Sequence, residues 1–175
     1  MNILTPVSQN RGGAFLLLES AQELSKLAQK TCDASEAFRK MGMARHCGLS
    51  AVSAYLRLTG AACPPEKIAS FFDAKQVEER GSNFLQLKKA LDALSHLQVS
   101  GSRSLESRKI EQILETEKAP LIAGIQRPGK SNHSITLIGF IPGESFIYHE
   151  PDGSSARISQ EAFQQSCLGI LYPNH

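Results

Sequence analysis

The stretch His46-Cys47-Gly48-Leu49-Ser50-Ala51-Val52-Ser53-Ala54-Tyr55-Leu56-Arg57-Leu58-Thr59-Gly60 constrains this chain more than any other. From Leu49 onward Val52 and Leu56, flanked by Ala51, Ala54, Tyr55 and Leu58, recur at helical intervals, and Gly60 stands where a left-handed cap ends a helix. Cys47 therefore falls at or near a helix N-terminus. Unpaired backbone N–H groups and the positive end of the helix dipole favour an anion there, and the same field lowers a thiol's pKa. A free cysteine is more commonly a small buried hydrophobe, so a nucleophile reading depends on a base and an acid elsewhere in the chain.

The base is His133. It opens His133-Ser134-Ile135-Thr136-Leu137-Ile138-Gly139-Phe140-Ile141, a β-rich run with apolar residues at alternate positions. A polar turn, Arg127 to Asn132, precedes it, and Pro120 to Ile125 before that reads as another buried strand. After it, Pro142-Gly143-Glu144-Ser145 closes a hairpin into Phe146-Ile147-Tyr148-His149, which runs out into Glu150-Pro151-Asp152-Gly153. Hairpin partners set the start of one strand beside the end of the next, so His133 should lie near Glu150 or Asp152.

This order resembles the papain-like cysteine peptidases of bacteria. Cys47-Gly48-Leu49 on a helix, a strand-opening His133, and Glu150-Pro151-Asp152-Gly153 after a hairpin are similar to the double-glycine peptidases of bacteriocin exporters and to small papain-like effector proteases of pathogens. The resemblance spans roughly residues 38 to 173. It implies that Cys47 is the nucleophile, His133 its base, and the carboxylate after the hairpin the group that orients the imidazole. Where those families often carry Asp-Pro, this chain has Glu150-Pro151, and Asp152 follows two residues on. Register favours Glu150 and side-chain length favours Asp152. The families also place a glutamine about six residues before the cysteine, where this chain has Met41. The backbone N–H of Cys47 supplies one oxyanion donor, and Arg45, His46 or a more distant group would have to supply another.

At 175 residues the length suits one domain, read here as residues 14–175 behind a flexible arm over 1–13. With 19 basic against 17 acidic residues, no basic run and no tryptophan, nothing points to nucleic acid. No stretch approaches a membrane span, and Glu19 breaks the run Ala14 to Leu18. A secretory signal peptide is not evident, so the expected location is the cytoplasm, or a host cell reached by a signal-peptide-independent route. Cys32, Cys47, Cys63 and Cys167 are irregularly spaced, without a Cys-x-x-Cys pair or clustered histidines. Neither zinc nor another cofactor is expected, and the thiols read as reduced, with Cys63 and Cys167 as packing residues.

In chain order, Leu17, Leu18, Ala21, Leu24, Leu27 and Ala28 predict a helix over Ala14–Lys30, with a second over Ser35–Lys40. Pro64-Pro65 starts a helix faced by Ile68, Phe71 and Phe72, and Ser82 or Asn83 caps another carrying Phe84, Leu87, Leu91 and Leu94. Leu97 to Val99 suggests a short strand, Ser104 to Lys118 a helix, Ser159 to Ser166 a short helix and Gly169 to Tyr172 a last strand. Helices first and a small antiparallel sheet after give an α+β, papain-like layout. His96 and His149 carry no assigned role.

The chemistry implied is amide hydrolysis, most simply of a protein or peptide substrate. Glutamine deamidation or acyl transfer on the same fold, and a catalytically inactive binding module, are the rivals. No sequence pattern sets the oligomeric state.

Overall fold

Ser20 decides where the first long helix starts. In the computed structural model, which describes residues 13–174, its hydroxyl accepts the backbone N–H of Glu23 at 3.0 Å, and α1 runs unbroken over Ala21–Lys40. This corrects the two helices predicted over Ala14–Lys30 and Ser35–Lys40. Nothing between them breaks the buried face of Leu24, Leu27, Thr31, Ala34, Ser35 and Phe38. The apolar run before Ser20 is extended instead, because β1, Phe15–Leu16, finds a strand partner in Phe140 and Gly139. Cross-strand pairing overrides a local helical spacing there. The arm predicted over 1–13 lies, Gly13 apart, outside the described residues.

The central helix, α2, spans Cys47–Leu58 and buries Gly48 to Val52 and Ala54 to Leu56. Sealing Leu49, Val52 and Leu56 from water contributes about 1.5–3 kcal/mol for each side chain, which holds the helix against its neighbours. Next come α3 (Pro65–Ala69), with proline in its first turn, and α4 (Ala74–Arg80), capped by Asp73. The sequence reading did not separate α4 from the helix before it. Its α5 is correct: Phe84–Leu94 starts at Asn83, which exchanges capping hydrogen bonds with Gln86. After β2 (Val99–Ser102), α6 (Ser107–Gln112) widens into a π-helical turn over Ile113–Glu117 and stops at Lys118, whose φ is 52°.

The remaining strands are β3 (Leu121–Ile125), β4 (His133–Ile141), β5 (Ser145–His149), β6 (Ser155–Ser159) and β7 (Cys167–Pro173), with α7 (Gln160–Ser166) between the last two. They form one antiparallel sheet in the order β2-β7-β3-β4-β5-β6, and β1 adds to β4. Alternation along the strands puts apolar side chains on both faces of the sheet. Ile122 and Leu171 face α1, α2, α3 and α5, whereas Leu121, Ala123, Ile135, Leu137 and Ile170 face α6, the π-helical turn and α7. The expected arrangement, a helical half carrying Cys47 on an antiparallel sheet, is what the chain forms; β1 and β6 are the strands the sequence did not reveal. Among the described residues no helix is long and apolar enough to cross a membrane.

Candidate active site

The N-terminus of α2 is left open to an anion by its own sequence. His46 is the N-cap residue but makes no side-chain capping bond, and no acidic residue lies in the first turn. The positive end of the dipole is thus met by no carboxylate of its own helix, and Cys47 is the first helical residue there. Gly48 follows for a steric reason. A Cβ at this position would collide with Ser82 Oγ and lie 2.9 Å from Leu87, so only glycine lets the segment before α5 close over the start of α2.

His133 reaches the same point from the first residue of β4. Its Nε2 lies 2.5 Å from Glu150 Oε1, and its ring is also hydrogen-bonded to Cys47. The histidine is therefore held between the thiol and one carboxylate. Burial alone would push the Cys47 thiol up, but hydrogen bonds from His133 and from the backbone of Ser134, together with the charge on His133, pull it below its ordinary value. Burial likewise opposes charge on His133, yet its bonds to Cys47 and Glu150 and their negative charges raise its pKa to about 9. Both shifts favour the same state, thiolate beside imidazolium. By contrast, burial pushes Cys63 and Cys167 up, and among the described residues neither has a histidine partner.

Of the two carboxylates that the sequence left open, one lies against the histidine. Glu150 meets His133, whereas Asp152 Oδ1 accepts from the backbone N–H of Ser154 at 2.8 Å and from its hydroxyl at 2.6 Å. Asp152 is thus a turn-forming residue, with its carboxyl held below the usual range first by those two bonds. It is not brought to the histidine.

The loop that carries Glu150 is clamped onto α1. Ser35 Oγ donates to Pro151 O at 2.7 Å and meets Ser50 Oγ at 3.0 Å, while Cys32 Sγ donates to Asp152 O at 3.2 Å. Gly153, at φ 88°, sits so close that a Cβ would lie 2.8 Å from Ala28 O. Just before the loop, the buried His149 pairs with Thr31 Oγ1 at 2.8 Å. Sequence reasoning missed this clamp and missed Ser134; no local pattern marks residues whose partners lie on other elements of the fold.

The oxyanion question also becomes concrete. Met41 ends α1, and its backbone N–H is spent on the carbonyls of Ala37 and Phe38. His46 Nδ1 donates to Met43 O at 2.8 Å, so that donor is already spent. The available groups are the backbone N–H of Cys47, unpaired within the helix by its position, and Ser82 Oγ beside Gly48. Cys47 and His133 lie in a cleft of about 1240 Å³ bounded by the start of α2, α5, the end of β2 and the turn before β4.

A buried helix with a thiol at its head, set against a sheet whose strand opens with histidine, defines the papain-like α+β architecture. Solved structures share it, two of which are informative here. One is a double-glycine motif protease from an AMS/PCAT transporter, in complex with its leader peptide; it is 25% identical, with TM-score 0.56, over 75% of this chain and 86% of that one. The other, described as a C39-like peptidase from Bacillus anthracis, is 14% identical with TM-score 0.56 over 75% of this chain and 90% of that one, and so bears on the fold alone. No protein-family model matches the chain, and no curated protein does.

Proposed function

We propose that this protein is a cysteine peptidase in which Cys47 is the nucleophile, His133 the general base and acid, and Glu150 the group that orients His133. The observation that carries the reading is the single ring of His133 bonded to Cys47 on one side and Glu150 on the other. The similarity to a double-glycine motif protease holding a leader peptide supports a peptide as substrate.

In this mechanism the thiol proton moves to His133, giving a thiolate–imidazolium pair that Glu150 stabilises from Nε2. The Cys47 thiolate adds to the amide carbonyl carbon, and the carbonyl oxygen becomes an oxyanion held by the Cys47 N–H, with the Ser82 hydroxyl in reach. The tetrahedral intermediate collapses as His133 gives its proton to the amine, which leaves, and a thioester remains. Water then loses a proton to His133 and attacks the thioester. Collapse returns the proton to the Cys47 sulfur and releases the carboxylic acid.

The test is alkylation with limiting iodoacetamide at pH 6, where a thiol of ordinary pKa, about 8.5, reacts slowly. Cys47 should be modified first, and His133→Ala should remove its advantage. Incubation of wild type and Cys47→Ala with a peptide library, read for new amino termini, then tests amide cleavage. Equal labelling of Cys47, Cys63 and Cys167 would sink the activated-nucleophile reading, and release of ammonia without new termini would convert it to a deamidase.

A further inference from the structure

The cleft around Cys47 has a charge that its surroundings do not share. The chain is nearly balanced, with 19 basic and 17 acidic residues, yet the cleft is lined by Arg45, Arg80, Lys88, Arg103 and Arg127 and, among the described residues, by no Asp or Glu. These five come from five separate places: the turn before α2, the end of α4, the first half of α5, the residue after β2 and the turn after β3. Convergence from so many segments on one concavity is a property of the tertiary structure, not of a basic run.

Four of the five also lack the partners that surface arginines ordinarily find. Lys88 bonds Asp92 on its own helix at 2.7 Å, but Arg45, Arg80, Arg103 and Arg127 form no ion pair with any described carboxylate. The Nε of Arg127 is buried without a hydrogen-bond partner among the described residues, a donor whose desolvation they leave uncompensated. Two large apolar side chains at the cleft, Leu85 at 64% and Leu168 at 46% exposure, add surface that a peptide could cover.

We infer that the cleft selects an acidic peptide segment, in which Asp or Glu side chains flanking the reacting amide pair with Arg45, Arg80, Arg103 and Arg127. The inference rests on the peptidase reading for its reacting amide and adds the class of substrate. Guanidinium forks match carboxylates bidentately, and several such contacts in a concave, partly desolvated site add where isolated surface pairs contribute little. Intervening apolar residues of the segment would rest on Leu85 and Leu168. Opposite charge also steers a flexible peptide toward the site from solution.

The experiment is fluorescence anisotropy with the full chain and three labelled decapeptides of one alternating leucine pattern, their polar positions filled by Glu, Gln or Lys. The Glu peptide should bind about tenfold more tightly than the Gln peptide, the sum of three or four modest charge pairs, and the Lys peptide more weakly still. Raising NaCl from about 0.05 to about 0.5 M should erase the difference. Arg80→Glu/Arg103→Glu, both exposed positions, should remove the preference while the melting temperature shows that the variant is folded. Equal binding of the Glu and Gln peptides, or a preference that survives the double reversal, overturns the inference. A single-stranded oligonucleotide displacing the Glu peptide at lower concentration overturns the peptide as occupant. Because this readout needs no turnover, it fails or succeeds independently of the alkylation of Cys47, which decides the peptidase reading.

Discussion

Cys47 and His133 each change pKa because the other is there. Burial disfavours charge on both, and the hydrogen bonds and opposite charge across the pair outweigh it. For hydrolysis the sign is set by two requirements: Cys47 must have lost its proton and His133 must hold one. Cys47 is held below its ordinary value and His133 titrates at about 9, so hydrolysis should fall as pH rises through about 9. Alkylation needs only the thiolate, and its rate should not fall with that limb. Glu150→Gln removes the charge that helps raise His133 and should move the basic limb of hydrolysis down by about one pH unit. Asp152→Asn should leave the limb in place, because that carboxylate serves Ser154. A shift caused by the second variant and not the first, seen in a pH–rate profile, would reverse the assignment.

At the scale of elements, α1 is the buttress for the Glu150 loop. Ser35→Ala strips Pro151 O of its donor and Ser50 of its partner, and should lower stability by about 1 kcal/mol. It should also slow Cys47 alkylation at pH 6, since a looser Glu150 holds His133 less firmly. Gly153→Ala combines a positive φ with a collision against Ala28 O and should cost roughly 1–3 kcal/mol. Urea midpoints of the two variants check both figures. The hairpin of β4 and β5 was legible from its alternation and its Pro142-Gly143 turn, and it correctly brought His133 toward Glu150. Its register was not legible in detail: an irregularity between Leu137 and Gly139 shifts the pairing, and which acid faces the histidine depends on such shifts.

Across the whole molecule, Cys47 and His133 act on the pH dependence of stability in opposite directions. A lowered Cys47 makes the folded chain release a proton that the unfolded chain keeps, and a raised His133 makes it keep one that the unfolded chain releases. Where both hold, the two contributions oppose each other as pH changes. His149 has no such counterpart. Its burial, opposed by the charges of Asp152 and Glu150, lowers its pKa from 6.5 to about 4. Between those values the unfolded chain binds more protons than the folded one, so stability should drop as pH falls from 6.5 toward 4, by on the order of 2–3 kcal/mol. Denaturant titrations at pH 7, 6 and 5 should show the loss, and His149→Gln should flatten it. A wild-type midpoint that holds steady over that range would mean that His149 does not remain neutral in the folded chain.

The sequence by itself determined the parts whose signals are local. The helix headed by Cys47 follows from apolar spacing, the strand opened by His133 from alternation, and the α+β order from which pattern comes first. Periodicity and turn chemistry are short-range, and they are strong in those segments. Only the tertiary structure decided what depends on distant partners: that Phe15–Leu16 is a strand, that Glu150 and not Asp152 meets His133, that Thr31, Cys32 and Ser35 hold the loop, and that basic side chains from five segments share one cleft. Each is a contact or a juxtaposition across layers of the fold, fixed by packing that no window of the sequence contains.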